Sequence, residues 1–254
     1  MPWDPALYNK FKKERFAPFL DLQKLIAVKP GLKVIDLGCG TGELSRILAD
    51  SLPGCELLGI DSSEEMLRES KNFETEYLTF RKQKIEDAIK DDTKWDLVFS
   101  FSALQWVDHH RALIPKLIRM LNKGGQLAIQ MPSNHEHFTH VTIRELATTY
   151  PYNIALDGWV RDAPVLSIEE YTKILFDAGG QDINVYEKIY PHVLENAHAL
   201  ADWTSGTALV PYLERLPKEM HDPFIEKYKE GLQRQYNMSP VFYPFNRILM
   251  SATF

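Results

Sequence analysis

Two acidic residues and three glycines near the start of the chain have the types and spacing that best suit chemistry. Asp36 precedes Gly38, Gly40 and Gly42 at alternate positions, and Asp61 closes the apolar run that follows. Glycines let a ligand approach backbone N–H groups closely. An acid at the end of a second strand suits a ribose, because its oxygens accept hydrogen bonds from two hydroxyls. These residues predict a nucleoside-binding site.

The spacing also indicates which nucleoside binds. A dinucleotide fingerprint needs a small residue at position 43, and this chain has Glu43. A carboxylate such as Asp36 repels a pyrophosphate and favours an ammonium. S-adenosyl-L-methionine carries an ammonium and no phosphate, so we predict it as the cofactor and S-adenosyl-L-homocysteine as its product. The alternative is a glycine turn that serves only to pack a helix on a strand.

Short apolar runs alternate with amphipathic segments, and this order predicts the elements that hold the site. The pattern is typical of an α/β fold with a doubly wound, mostly parallel sheet. Ser100 and Phe101 end the fourth strand, so we expect them at the cofactor crevice. The predicted strands are 34–37, 57–61, 77–80, 95–102, 126–131, 182–190 and 241–254, and the main predicted helices are 43–50, 110–121, 138–150, 167–178, 195–204 and 223–236.

Several motifs resemble known families. Val34–Gly42 and Leu57–Asp61 resemble the glycine motif and ribose acid of class I S-adenosylmethionine-dependent methyltransferases. More narrowly, Trp3–Tyr8 with Glu14-Arg15, Leu104-Gln105-Trp106 and Gln130–Asn134 resemble the trans-aconitate 2-methyltransferase family, nearly from end to end. The resemblance implies a seven-stranded sheet and a small organic acid as methyl acceptor.

The resemblance also implies how the cofactor is covered. Tyr8 and Arg15, in an N-terminal helical cap over residues 1–30, would fold over the cofactor pocket. Ile85 would pack on the adenine and Glu86 would accept from its amine. Lys84 stands where many methyltransferases place an acid for that purpose.

The acceptor residues come partly from chemistry and partly from the resemblance. A polycarboxylate needs cationic partners, and Arg247 lies in an apolar strand where the family also has arginine. Val210 departs from the family, which carries arginine at that position. We expect acceptor contacts from Arg247, from Gln105 and Trp106, from His140 and Arg144 on one helix face, and from the family matches Tyr190, His192 and Trp203.

We predict no acid–base residue. A carboxylate is already a nucleophile, so catalysis reduces to holding the reacting atoms in line and excluding water. His135, His137 and His140 lie close together, but their spacing does not fit a metal site, and we expect no metal.

Composition sets the remaining expectations. The chain of 254 residues fits a single methyltransferase domain, 1–254, with a helical lid insertion at 192–240. Its net charge of −6 disfavours nucleic acid. With two cysteines, no signal region and no long apolar run, we expect a cytoplasmic protein with no membrane segment and no disulfide, and a monomer.

Other functions stay open at this stage. A nicotinamide-dependent reductase is disfavoured by Glu43 and by the absence of a Tyr-x-x-x-Lys pair near Trp106. A non-catalytic binding module is disfavoured by the intact Asp36, glycine set and Asp61. Within methyltransferases, the alternative acceptor is a natural-product acid or a phenol.

Overall fold

In a computed structural model of the chain, the structure describes the backbone of residues 12–254 and the side chains from Phe16 onward. Seven strands form one sheet in the order β3-β2-β1-β4-β5-β7-β6. Strands β3, β2, β1, β4 and β5 run parallel, and β7 runs antiparallel to β5. The strands are β1 Lys33–Leu37, β2 Glu56–Asp61, β3 Leu78–Lys82, β4 Trp95–Phe101, β5 Leu121–Pro132, β6 Gln181–Leu194 and β7 Val241–Thr253. The prediction of a mostly parallel, seven-stranded α/β sheet is confirmed.

Helices connect these strands, as parallel neighbours require a crossover. They are α1 Lys12–Gln23, α2 Glu43–Ser51, α3 Glu64–Ser70, α4 Ile85–Ala88, α5 His110–Arg119, α6 Phe138–Ala147, α7 Tyr152–Ala155, α8 Ile168–Asp177, α9 Ala197–Ser205, α10 Val210–Leu213 and α11 His221–Gln235. Local sequence explains their ends: Ser63 caps α3 by accepting from the Met66 N–H, and Ser167 with Glu170 forms a capping box at α8. None of the helices described is long and apolar enough to cross a membrane.

The chain divides into two compact units. The sheet unit comprises residues 15–132, 164–188 and 247–254, and the helical unit comprises, in the described chain, residues 12–14, 133–163 and 189–246. In the sheet unit, strand residues such as Leu37, Val98 and Ile129 belong to one apolar core with buried residues of helix α5 and helix α8. In the helical unit, Tyr152, Phe224 and Tyr228 belong to a separate apolar core. The burial of large apolar side chains in each unit is what stabilises it.

Some predicted bounds are wrong for identifiable reasons. Helix α5 ends at Arg119, because Leu121 pairs with Trp95 and already belongs to β5. Ser102 lies beyond β4 because its backbone is left-handed, with φ of 54°. The segment 192–240 contains α9, α10 and α11, and its action as a lid stays a prediction.

Candidate active site

The glycine loop joins β1 to α2, and its three glycines serve different purposes. All three have positive φ, at 81°, 56° and 79° for Gly38, Gly40 and Gly42. A Cβ at Gly38 would lie 2.2 Å from the Ala103 Cβ, and one at Gly42 would lie 2.6 Å from the Phe80 Cζ. At Gly40 the nearest atom among the described residues is the Met66 Cε, at 3.7 Å. Packing therefore requires Gly38 and Gly42, whereas Gly40 leaves space for a ligand.

Asp36 is a buried carboxyl group at the end of β1. Its Oδ2 accepts a hydrogen bond from the Ser45 hydroxyl at 2.6 Å. Its Oδ1 accepts no hydrogen bond from any residue in the described chain. Burial raises the pKa of Asp36 to about 7, the Ser45 hydrogen bond opposes this rise, and the negative charge of Asp61 adds to it. A cation beside Oδ1 would favour the ionised form of this carboxyl.

Asp61 connects the glycine loop to the end of β2. Its Oδ2 accepts from the Gly40 N–H at 2.9 Å and its Oδ1 from the Ser63 N–H at 2.8 Å. Burial raises the pKa of Asp61, and these backbone hydrogen bonds oppose the rise. The carboxylate is half-buried, so it remains accessible beside Gly40. An acid held next to the loop in this way suits a ribose.

The segment predicted to receive the adenine begins helix α4. Ile85 is buried as the first residue of the helix, and Lys84 is its N-cap. Glu86 follows in the first turn with its side chain exposed. Tyr8 lies outside the described residues, as does the side chain of Arg15.

Ser100 and Phe101 have packing roles in the sheet unit. The Ser100 hydroxyl donates to the Leu37 carbonyl at 2.8 Å, which joins β4 to β1. The Phe101 ring meets the Phe19 ring edge to face, with centroids 5.7 Å apart. Their expected contact with a cofactor stays a prediction.

A polar group that we call the arginine cluster consists of Ser102, Gln130 and Arg247. Arg247 is 3% exposed, and its Nη1 donates to the Ser102 hydroxyl at 3.0 Å. When the Gln130 amide is assigned with its oxygen toward the two neighbouring donors, the oxygen accepts from the Arg247 Nη1 at 3.0 Å and from the Met131 N–H at 3.1 Å, and the nitrogen donates to the Ser102 hydroxyl at 2.8 Å. In the opposite assignment the Ser102 hydroxyl would donate to the Gln130 oxygen. The cluster fixes a buried guanidinium at the carboxyl ends of β4 and β5.

The turn 104–106 follows this cluster and holds two predicted acceptor residues. The Gln105 side-chain nitrogen donates to the Ser102 carbonyl at 2.7 Å, and Trp106 is half-buried. His110 anchors the turn, since its Nε2 hydrogen-bonds the Leu104 carbonyl at 2.9 Å and its Nδ1 hydrogen-bonds the Tyr171 hydroxyl. Burial lowers the pKa of His110, which favours the neutral ring.

In the helical unit, three of the predicted acceptor residues are buried. Tyr190, His192 and Trp203 are 6%, 4% and 9% exposed. The His192 ring lies 4.7 Å from the Trp203 ring and 5.5 Å from the Phe245 ring, measured between centroids. His192 and Trp203 are thus brought together in an aromatic cluster.

His140 and Arg144 lie on helix α6 of the same unit. Burial lowers the pKa of His140 to about 3, and the neighbouring His137, His135, Arg144 and Arg161 lower it further. The Arg144 guanidinium donates to the His135 carbonyl at 2.5 Å and to the Glu136 carboxylate at 3.2 Å. His140 is therefore neutral near pH 7, and Arg144 is held by its own segment. Within the described residues, no group of three His, Cys, Asp or Glu could hold a metal ion.

Sequence reasoning missed Ser102 and Gln130 as parts of the candidate site. Each is a polar residue at the carboxyl end of an otherwise apolar strand. That pattern could have identified them, because such strand ends line the ligand crevice of an open parallel sheet.

Comparisons with known proteins agree with this architecture. A methyltransferase-domain family model matches residues 28–188. Trans-aconitate 2-methyltransferase of Deinococcus radiodurans is 39% identical over 259 residues, which cover 100% of this chain and 98% of that protein. The enzyme of the same name from Paracidovorax citrulli is 33% identical, covering 92% and 90% of the two chains.

The fold also matches solved structures. A putative S-adenosylmethionine-dependent methyltransferase from Listeria monocytogenes superposes with a TM-score of 0.54 at 21% identity, covering 95% of this chain and 96% of that one. At this identity the match supports the fold alone.

Proposed function

We propose a function from one premise: this chain belongs to the trans-aconitate 2-methyltransferase family and is an S-adenosylmethionine-dependent methyltransferase. The proposed function is that it methylates a carboxylate of a small organic acid. The product would be a methyl ester. The proposed acceptor is trans-aconitate, which is the acid in the name of these relatives, or a related polycarboxylate.

The residues of the sheet unit fit the cofactor. Gly40 leaves space at the loop, Asp61 lies beside it, and the Asp36 Oδ1 is a buried acceptor that no described residue uses. We propose that Asp61 binds the ribose hydroxyls and that Asp36 favours the cationic amino-acid part. Ile85, with Glu86 beside it, is the proposed adenine contact. When bound, the cofactor supplies a methyl group attached to a sulfonium, which is a strong methyl donor.

Arg247 is the observation that carries the acceptor class. Its guanidinium is a buried cation, and a carboxylate suits such a cation because both groups are planar and can form two parallel hydrogen bonds. The arginine cluster also lies close to the glycine loop: Ala103, next to Ser102, blocks any side chain at Gly38. An acid held at Arg247 would therefore lie near the methyl donor within the sheet unit.

The chemistry requires little more than this placement. An acceptor carboxylate oxygen uses a lone pair to form a bond to the methyl carbon, while the carbon–sulfur bond breaks and leaves its electron pair on sulfur. No proton is transferred, so no general base is needed. The protein would act by orienting the acid and excluding water.

The test is a methyl-transfer screen of the wild-type enzyme and Arg247→Met against di- and tricarboxylic acids, read by mass spectrometry. Methionine keeps bulk and removes charge. A guanidinium–carboxylate pair in a closed site is worth about 2–4 kcal/mol, so kcat/KM should fall about 30- to 1,000-fold. The affinity for S-adenosylhomocysteine should hardly change.

Arg81→Met is the matched control, since Arg81 is an exposed arginine of the same unit, on β3. It should leave kcat/KM for the acid within about twofold of wild type. If Arg247→Met and Arg81→Met lose activity to the same extent, Arg247 is a structural residue. The same conclusion follows if Arg247→Met loses cofactor affinity as strongly as it loses activity on the acid. A wild-type enzyme that methylates phenols and no acid would refute the proposed function itself.

A further inference from the structure

We propose that Ser102 is a specificity-determining residue whose hydroxyl donates a hydrogen bond to a carboxylate of the acceptor. This inference rests on the proposed function and extends it, because it identifies a second residue that selects an ionised acid.

The hydrogen bonds of Ser102 leave one direction for its proton. A serine hydroxyl has one donor and two acceptor lone pairs. Arg247 Nη1 donates to the Ser102 oxygen at 3.0 Å, and a guanidinium can only donate. The Gln130 amide nitrogen donates to the same oxygen at 2.8 Å. Both lone pairs are thus occupied, and the hydroxyl proton must point to a third group.

The orientation of the Gln130 amide supports this assignment. In the opposite orientation its nitrogen would face two donors, the Arg247 Nη1 and the Met131 N–H. With the oxygen on that side, both donors are satisfied and the amide nitrogen reaches Ser102. Within the described chain, no residue then accepts the Ser102 hydroxyl proton.

The backbone places this hydroxyl at the reaction site. Ser102 follows β4 in a left-handed conformation with φ of 54°. A residue with a side chain is strained in that conformation, and glycine would avoid the strain. The next residue, Ala103, abuts Gly38 of the glycine loop. A strained, half-buried serine at the carboxyl end of a central strand is where a ligand contact is expected.

The cluster also selects the chemical class of the ligand. The Ser102 and Gln130 oxygens already accept two hydrogen bonds each, so neither can receive the proton of a phenol or an amine. The donor that remains for a ligand is the Ser102 O–H, and a carboxylate oxygen, as a charged acceptor, would make the strongest hydrogen bond to it. The hydroxyl would bind an oxygen other than the one that receives the methyl, because donation to the reacting lone pair would make it less nucleophilic.

The experiment compares Ser102→Ala and Ser102→Gly with the wild type, using trans-aconitate as the probe. Loss of a hydrogen bond to a charged group corresponds to an increase of about 10- to 100-fold in the KM of the acid. Both variants should show the same increase in KM. Their affinity for S-adenosylhomocysteine, measured by calorimetry, should stay within about twofold of wild type. Ser102→Gly should unfold at a temperature at least as high as Ser102→Ala, since glycine relieves the backbone strain.

Ser251→Ala is the matched control, because Ser251 is a buried serine on β7 of the same sheet. Its KM should stay at the wild-type value. If the wild type methylates the acid and both Ser102 variants keep its KM, or if only the alanine variant loses affinity, the inference is wrong while the proposed function stands. If the wild type methylates no acid, the proposed function is refuted.

Discussion

The substitution Asp36→Asn should stabilise the cofactor-free protein at alkaline pH while weakening cofactor binding. Asp36 is 3% exposed, and burial is the main cause that raises its pKa from 3.8 to about 7. Because the folded-state pKa lies above the unfolded one, the protonated carboxyl favours folding at low pH. That contribution is complete below pH 3.8 and is lost as the pH rises through about 7.

The magnitude follows from the same two values. One pKa unit corresponds to about 1.4 kcal/mol, so ionised Asp36 costs the folded state about 4 kcal/mol at pH 8. The pKa of about 7 already includes the hydrogen bond from Ser45, so asparagine, which stays neutral, avoids the whole of that cost. We expect Asp36→Asn to be about 4 kcal/mol more stable than wild type at pH 8, with the difference falling below about 1 kcal/mol near pH 4.

Urea denaturation from pH 4 to pH 8 without cofactor measures this difference. Asp50→Asn is a useful control, because the hydrogen bond from Arg46 lowers the pKa of Asp50, and its pH dependence should have the opposite sign. Calorimetric titration with S-adenosylmethionine in two buffers should also show proton release by wild type and none by Asp36→Asn. A stability difference that does not change with pH would refute a raised pKa at Asp36.

Three further predictions concern the glycine loop, Asp61 and the helical segment. Gly42→Ala should lower the free energy of unfolding by about 2–4 kcal/mol, because its Cβ would meet Phe80 and Ser70. Gly40→Ala should lower it by only about 1 kcal/mol but should reduce the affinity for S-adenosylhomocysteine at least about tenfold. A larger loss of stability in Gly40→Ala than in Gly42→Ala would contradict our assignment of the loop. Asp61→Ala should weaken the free energy of cofactor binding, measured by calorimetry, by about 1.5–3 kcal/mol. If a folded variant keeps its cofactor affinity, the role of Asp61 is only to hydrogen-bond the Gly40 N–H. If residues 192–240 act as a lid, amide exchange in α9 and α11 should slow when S-adenosylhomocysteine and acid are added together, and unchanged exchange would count against a lid.

The sheet and the position of Asp61 beside the glycine loop could be predicted from sequence because their signals are local. Val34–Leu37 is a short apolar run bounded by glycine, and Leu57–Asp61 is another. In a parallel sheet, adjacent strands bring their carboxyl ends together, so the order of these runs is enough to place Asp61 beside the glycine loop. The hydrogen bond between Asp61 and Gly40 is the expected consequence.

The arginine cluster could not be assembled from sequence, because its members come from three strands far apart in the chain. The apolar neighbours of Arg247 in the sequence, together with the family resemblance, predict an acceptor-binding arginine there. Its hydrogen bonds to Ser102 and Gln130 depend on the antiparallel pairing of β7 with β5, which sets Arg247 opposite Pro132. The left-handed backbone at Ser102 has no sequence signal, since positive φ is unusual for serine.

Local electrostatics can reconcile an acidic protein with an anionic substrate. The formal net charge of −6 works against long-range attraction of an acid, but charges beyond about 8 Å are screened at physiological ionic strength. A buried guanidinium acts at short range in a low dielectric, where each interaction is stronger. In the arginine cluster, the neutral side chains of Gln130 and Ser102 hydrogen-bond Arg247. Neutral partners of this kind position a guanidinium and add no negative charge of their own beside the site that we propose for the acid.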